Sequence, residues 1–565
     1  MIDVNLIDQY FPKPSYRPQQ KEIIQSIVGC INDGKKYIIA ELPTGTGKSP
    51  IAVTLAGLVG SQLDESGHAG GAYYITTTKI LQDQIEADFG GSVATLKGRS
   101  NYPCTVYDNF PNEIARQLPQ HIIKQERELK SNCNEGYCKK HTGVSKCMMC
   151  LPSDKWKEDH PLPVGVNHSY CPYYEKYFNA INANIASMNF DNFILHLNYG
   201  RNFDGRKILI IDEAHNCEEK LLNFLETTIS SKHISHRIPK FDTPIQYVNF
   251  LQRIGATEIL KELHESAKES ANMKMMQHYE NLLMKYVNFM IEVSGDQDGW
   301  VIEYSSDPDE DVVLAKPIFA KRAARKLLFA HADVVVFLSA TILNATTFAN
   351  NLGIKKEEFT AYRIGSSFPV EKRPIILDYA GKFIGGKAKQ QEWIVPLTRK
   401  VEEIARNFPN ERGIIHTHSF GIQKGIIENV APDVKRRLLE QHGYSTKTEM
   451  LEKHAKTVGS IIIAPAMHEG IDLKDDLSRF QIVCKVPYAN FHENAQLKAR
   501  MELDPPYYDY ITIMKLVQSV GRSVRSDQDW AYTYIIDEAF DRIFKNNSFP
   551  LWFKEAVTKN IKSRI

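Results

Sequence analysis

Residues 41–49 read ELPTGTGKS and directly follow the apolar run at 37–40. A strand that ends in a glycine-bearing turn ahead of a helix aims backbone N–H groups at one point, where a phosphate chain can sit. Thr44, Gly45, Thr46 and Gly47 form the turn, and the two glycines let it curl without a Cβ clash. Lys48 supplies a point charge for the β- and γ-phosphates, and Ser49 offers a hydroxyl to Mg²⁺. The strict pattern has glycine at position 42, where this chain has Leu42. Pro50 fits a first helical turn, whose N–H groups have no intrahelical acceptor. The chemistry this stretch supports is the binding of a nucleoside triphosphate.

Two further groups suit that site. KILIIDEAH (207–215) delivers Asp212, Glu213 and His215 to the end of an apolar run. Asp212 can hold Mg²⁺, often through water, while Glu213 can orient and deprotonate the attacking water. LVQSVGRSVRSDQDW (516–530) puts Gln518, Gly521, Arg522 and Arg525 on consecutive helical turns. Arg522 and Arg525 are three apart and share a face, as arginine fingers reaching a γ-phosphate across a cleft require. Upstream, YRPQQKEIIQSIVGCI predicts an amphipathic helix opened by Pro18. Arg17 and Gln20 at its start either read an adenine edge through the amide or simply face solvent.

Short polar groups end the other apolar runs. In AYYITTTKILQDQ (72–84), Thr78, Lys79 and Gln82 fall at the C-terminal edge expected of a parallel sheet, where ligands bind. Hydroxyls and amides there suit a nucleic-acid backbone, although Thr78 equally suits a helix cap. VVVFLSATI (334–342) ends in Ser339 and Thr341, and GIIHTHSF (413–420) in Thr417 and Ser419. SIIIAPAMHEGIDL (460–473) ends in Glu469, Gly470 and Asp472.

These runs must be strands, and the spacing between them shows what else the chain holds. Lys48 and Asp212 lie 164 residues apart, whereas one strand–helix–strand unit needs only about 30. The surplus contains Cys104, Cys133, Cys138, Cys147, Cys150 and Cys171, six of the nine cysteines, with x28, x4, x8, x2 and x20 between them. Such crowding points to a cluster or metal site. A zinc ribbon from Cys133, Cys138, Cys147 and Cys150 is the competing metal reading. A second surplus separates Asp212 from VVVFLSATI. There Tyr279, Leu282, Leu283, Tyr286, Phe289 and Met290 recur at helical steps. This predicts a helical insertion, with the acidic SSDPDEDVV (305–313) as a loop. GSSFP (365–369) marks the boundary to a second αβ domain.

With 69 Lys+Arg against 68 Asp+Glu, the net charge of +1 gives no whole-molecule attraction to polyanions, so a nucleic-acid site must be a local groove. The 565 residues exceed what one core organises. No apolar run is long enough to span a membrane. The opening MIDVNLIDQYFPKP lacks the features of a signal peptide. A reducing cytoplasm is therefore expected, where cysteines serve metals more often than disulfides.

In this order, ELPTGTGKS, TTTKILQDQ, LKGRSNYPC, CPYYEKY, DEAH, LSAT, HTHS, HEGIDL and QSVGRSVRS resemble the motifs of the superfamily-two helicases of the XPD/DinG iron–sulfur type. The resemblance runs from about residue 17 to residue 540. It implies an α/β fold of two RecA-like P-loop motor domains, with an iron–sulfur insertion and a helical Arch insertion in the first. The expected division is 1–97, 181–225 and 319–368 for the first motor domain and 369–565 for the second. The iron–sulfur domain is expected at 98–180 and the Arch at 226–318. The resemblance also implies ATP, Mg²⁺ and a 4Fe–4S cluster, and 5′→3′ translocation on single-stranded and forked DNA by a cytoplasmic monomer, bacterial or phage-encoded. Lys48, Ser49, Gln20 and Gln518 would serve ATP, Asp212 and Glu213 metal and water, and Arg522 and Arg525 the γ-phosphate. The family uses four cysteine ligands and this chain offers six. LKGRSNYPC and CPYY mark Cys104 and Cys171 as the first and last. Cys133 and Cys138 are similar in spacing to the DinG type and are preferred; Cys147 and Cys150 are similar to archaeal XPD. The chain is compact for the family, so a reduced Arch is expected. An RNA helicase of DEAH type and a helicase-like scaffold without turnover are the alternatives.

Overall fold

The computed structural model describes residues 1–62, 70–103, 133, 172–200, 202–270, 272–383, 387–440, 443–444, 446–465, 473, 475–491, 493–521, 523–524, 528–545 and 548–558. Along the chain come β1 (Tyr37–Glu41), β2 (Ala72–Thr76), β3 (Ala94–Leu96), β4 (Ile185–Asn189) and β5 (Arg206–Asp212). Next are β6 (Thr227–Ser230), β7 (Trp300–Ser306), β8 (Asp311–Pro317), β9 (Ala332–Ser339) and β10 (Phe359–Arg363). The last group is β11 (Ile375–Gly381), β12 (Gly413–His416), β13 (Leu438–Glu440), β14 (Ile461–Ala464), β15 (Phe480–Val483), β16 (Tyr532–Asp537) and β17 (Val557–Thr558).

The strands form two seven-stranded sheets and one of three. The first sheet, in the order β10-β1-β9-β5-β2-β4-β3, is parallel throughout. So is the second, β13-β14-β12-β15-β16-β11-β17. A parallel sheet is covered on both faces, so its strands read as continuous apolar runs rather than alternating ones. Every residue of β1 and β2 is accordingly buried. Alternate side chains still enter different cores: Ile39, Tyr73 and Leu209 pack on one face of the first sheet, Ile38, Tyr74 and Ile210 on the other. The helix Lys48–Gly60 lies across β2 and β5 and is buried at every position from Ile51 to Gly60. Pro50 occupies its first turn, as expected.

The C-terminal ends of the central strands are level. Glu41 pairs with Ser339, and Asp212 with Leu338. Ligands bind outside the carboxyl edge of such sheets, and the parallel pairing brings the phosphate loop and the acid pair to one edge.

The segment between β5 and β9 is more than the helical insertion expected. It contains the helices Pro244–Arg253, Ala256–Glu269 and Met273–Gly295 and also the antiparallel sheet β6-β8-β7. Residues 305–313, expected as a loop, are the tip of the β7–β8 hairpin and the strand ends beside it. The alternating burial of Asp311–Pro317 is the period-two signal of a half-buried strand. Tyr286 and Phe289, from the apolar stripe, are completely buried, so that stripe is core.

Candidate active site between the two sheets

The two lobes, one around each large sheet, face each other across a cleft of about 830 Å³, its open mouth included. The first lobe lines it with Thr44, Lys48, Glu213, His215 and Thr341, and the second with Gln481, Gln518, Gly521 and Thr533. Lys48 and Gln518, 470 residues apart in sequence, therefore meet around one space.

The phosphate loop is held from behind. Gly45 and Gly47 take φ values of 87° and 79°, the left-handed region that suits glycine. Close packing adds a second reason: a Cβ on Gly45 would lie 2.0 Å from the Phe368 ring, and one on Gly47 2.2 Å from Gln20 Nε2. Gln20 is 1% exposed. Its Nε2 donates to Gly47 O at 3.2 Å, and its Oε1 accepts the Arg17 N–H at 2.7 Å. Arg17 Nη1 in turn donates to Gly45 O at 2.8 Å. The amide expected to read adenine is thus engaged with the loop itself. Thr46 Oγ1 donates to Pro43 O. Leu42 is completely buried, and its N–H donates to Ser339 O at 2.8 Å. Position 42 therefore continues the β1–β9 pairing and makes no demand for glycine.

Asp212 ends β5, 5% exposed. Its Oδ2 accepts the Tyr74 hydroxyl at 3.0 Å and its Oδ1 the Glu213 N–H at 2.9 Å. Burial, and then the neighbouring Glu213 charge, push its carboxyl above the usual carboxylate range, and Lys48 pulls the other way. Glu213 takes φ 49°, an uncommon conformation for a side-chain-bearing residue and one that turns its carboxylate into the cleft. Glu213 Oε2 lies 3.5 Å from His215 Nδ1, and that nitrogen lies 2.7 Å from Ser339 Oγ. Ser339 Oγ also accepts the Thr341 N–H at 3.0 Å. A polar chain thus runs from the acid pair through an imidazole to the end of β9.

The residues expected to touch nucleic acid divide. Ser339 is fully buried within that chain, and Thr341 lines the cleft. Thr78 caps the helix Lys79–Phe89, accepting the Leu81 N–H at 3.4 Å. Gln82 is turned inward, 1% exposed, with Nε2 donating to Leu96 O. Thr417 is fully buried and donates to Ser419 O at 3.2 Å; Ser419 is half-buried at the start of the helix Phe420–Asn429. In this structure Gln82, Ser339 and Thr417 therefore present no side chain to a strand at the surface, because each is spent on an internal hydrogen bond. Arg522, Arg525, Glu469, Gly470, Asp472, Cys104, Cys138, Cys147, Cys150 and Cys171 lie outside the described residues. Sequence reasoning missed Tyr74, which nothing marks among the apolar residues of β2, and the ring of Phe368 over Gly45.

Two parallel-sheet lobes with a phosphate loop and an acid pair at their junction define a RecA-like motor. The comparisons narrow it further. A family model described as Helicase C-terminal domain matches residues 401–556, DEAD_2 matches 94–234, and the res subunit of type III restriction enzymes matches 13–152. Among curated proteins, ATP-dependent DNA helicase YoaA of Escherichia coli is 24% identical over 249 residues, 39% of this chain and 36% of YoaA. ATP-dependent DNA helicase CHL1 of Candida albicans is 25% identical over 114 residues, 17% of this chain and 14% of CHL1. The chain thus matches well under two thirds of either relative. A solved XPD helicase superposes with TM-score 0.61 at 12% identity, covering 97% of this chain and all of that one. Xpd4 of S. tokodaii superposes with TM-score 0.55 at 11% identity, over 96% and 100% of the two chains. The matched curated relatives are DNA helicases, and the fold is similar to that of XPD.

Proposed function

We propose that this chain is an ATP-dependent DNA helicase that moves 5′→3′ along single-stranded DNA and opens forked duplexes, acting as a monomer in the cytoplasm. The observation that carries this reading is the cleft, where Lys48 and Glu213 of one lobe face Gln518 and Gly521 of the other. In this proposal Lys48 neutralises the β- and γ-phosphates, Ser49 and Asp212 hold Mg²⁺, and Glu213 activates the water. Arg522, directly after Gly521 in sequence, and Arg525, three residues further on, sense the γ-phosphate. Mg²⁺ is commonly bound by one or two protein oxygens plus substrate phosphates, and a hydroxyl and a carboxylate at the loop fit that rule. Closure of the lobes on ATP and their release after hydrolysis would drag the strand past them. Residues 1–97, 181–225 and 319–368 would form one motor domain and 369–565 the other.

A 4Fe–4S cluster is proposed for the segment between β3 and β4. Among the described residues, no group of three or more His, Cys, Asp and Glu gathers as a metal site. Cys133 is the one proposed ligand among the described residues. Its thiol donates to Pro103 O at 3.2 Å and its N–H to Tyr102 O at 2.8 Å, which holds it against the residue preceding Cys104. Cys138 and Cys171 would complete the set, with Cys147 and Cys150 the other pair. The residues flanking the segment on either side are tied together: Arg99 lies 4.8 and 5.3 Å from the Tyr173 and Tyr174 rings, and Glu86 bridges Lys97 and Lys176.

The test is an anaerobic preparation assayed for iron and sulfide, for ATP hydrolysis with single-stranded DNA or RNA, and for unwinding of 5′- and 3′-tailed duplexes. DNA-stimulated hydrolysis and opening of the 5′-tailed duplex are expected. Stimulation by RNA alone would make it an RNA helicase, and no hydrolysis with any polynucleotide would overturn the reading.

A further inference from the structure

We propose that Tyr74, on β2, is a positioning residue for the Mg²⁺ of the nucleotide, aligning the Asp212 carboxylate through its phenolic hydroxyl. The inference rests on the function proposed above and deepens it. Tyr74 is completely buried on the face of the first sheet that carries the helix Lys48–Gly60. Its hydroxyl donates to Asp212 Oδ2 at 3.0 Å. The other oxygen of Asp212 is tied to the Glu213 N–H, so the carboxylate cannot rotate about its terminal bond without breaking a bond at each end. Without the phenol, Oδ2 is free to turn, and binding of the ion would have to order it. The groups that orient metal ligands are worth about 10- to 100-fold in metal affinity.

The adjacent tyrosine supplies the control. Tyr73 is 1% exposed on the opposite face of β2, and its hydroxyl donates to Asp204 O at 2.6 Å, away from the loop. Tyr74→Phe and Tyr73→Phe each remove one buried hydroxyl from the same strand, so their comparison separates loss of alignment from loss of stability. Two readings are taken on the full chain. The first is Mn²⁺ affinity in the presence of a non-hydrolysable ATP analogue, from the free-ion EPR signal. The second is the Mg²⁺ concentration giving half-maximal DNA-stimulated ATP hydrolysis. Tyr74→Phe is expected to weaken Mn²⁺ about tenfold and raise the Mg²⁺ requirement by the same factor, leaving kcat at saturating Mg²⁺ near that of the wild type. Tyr73→Phe is expected to change neither. Wild-type Mn²⁺ affinity in Tyr74→Phe, or a kcat loss that is the same at every Mg²⁺ concentration, overturns the proposal. A wild type that hydrolyses nothing, together with a Mn²⁺ difference between the two variants, would uphold the alignment role and defeat the helicase reading instead.

Discussion

The two large sheets are built alike, each of seven parallel strands, yet they bring unlike chemistry to the cleft between them. The first contributes a cation, a carboxylate and an imidazole: Lys48, Glu213 and His215. Among the described residues, the second contributes Gln481, Gln518 and Thr533, and the guanidinium of Arg373, which donates to the carbonyls of Phe368 and Trp552. Repeating an architecture therefore does not repeat a site. The groups that can polarise a phosphate and deprotonate water are gathered on the first lobe, at strand ends fixed by parallel pairing. Among the described residues, the facing lobe supplies neutral hydrogen-bonding groups and one guanidinium, Arg373, that is engaged with backbone carbonyls. Hydrolysis should be sensitive to the first lobe atom by atom, and to these described groups of the second mainly through how often the lobes meet.

Substitutions across the cleft test that asymmetry directly. Lys48→Ala should leave no ATP hydrolysis above background, measured as phosphate release with saturating single-stranded DNA. Glu213→Gln should lower kcat by about 10³-fold, within the range for a general base, while binding of a fluorescent ATP analogue stays close to wild type. Gln518→Ala removes one neutral hydrogen-bonding group and should cost about tenfold in hydrolysis. Its effect should fall mainly on the factor by which DNA stimulates the rate. A Gln518→Ala loss as deep as that of Glu213→Gln would mean that the chemistry is shared between the lobes after all.

Legibility in the sequence followed the same division. The phosphate loop and acid pair are local: a few residues whose order alone states the strand, the turn and the charge. Their neighbours were not, since β1 pairs with β9 and β10, about 300 residues on. The apparent defect at Leu42 disappears for that reason, because the residue belongs to a strand pairing that only the fold reveals. Gln20 shows the converse. Its residue type suggested a base contact, but the amide is taken up by a loop carbonyl 27 residues away. Gln82, Ser339 and Thr417 were rightly placed at strand ends or in the helix beyond, but residue type does not say which way a side chain turns there. In the insertion, the helical stripe masked β6, β7 and β8, since short antiparallel strands carry only a few residues of period-two signal each.

The lobes also meet at a second place, which is buried where the cleft is open. Arg500, on the second-lobe helix Ala495–Leu503, is 2% exposed among first-lobe groups. It lies 3.1 Å from Glu218 Oε1 and donates to Asn351 Oδ1 at 2.7 Å and to Ile318 O at 3.0 Å, between the Phe319 and Tyr507 rings. Glu218 is five residues beyond Glu213, so this contact ties the second lobe to the helix that follows the acid pair. Burial pushes the Glu218 carboxyl up to about 7 from 4.5, against the pull of Arg500 and with Asp504 adding to the rise. A carboxyl raised on folding stabilises the folded chain fully below its unfolded value and loses that contribution as pH rises through the folded one. Wild-type stability should therefore fall between about pH 4.5 and 7 relative to Glu218→Gln, which has nothing to titrate. In calorimetry the Tm difference, variant minus wild type, should grow by about 2–4 °C over that interval, with hydrolysis at pH 7 changed less than by any substitution in the cleft. A difference independent of pH would mean that Arg500 keeps Glu218 ionised throughout, so that the contact is a permanent ion pair and the contrast between the buried and the open interface loses its electrostatic basis.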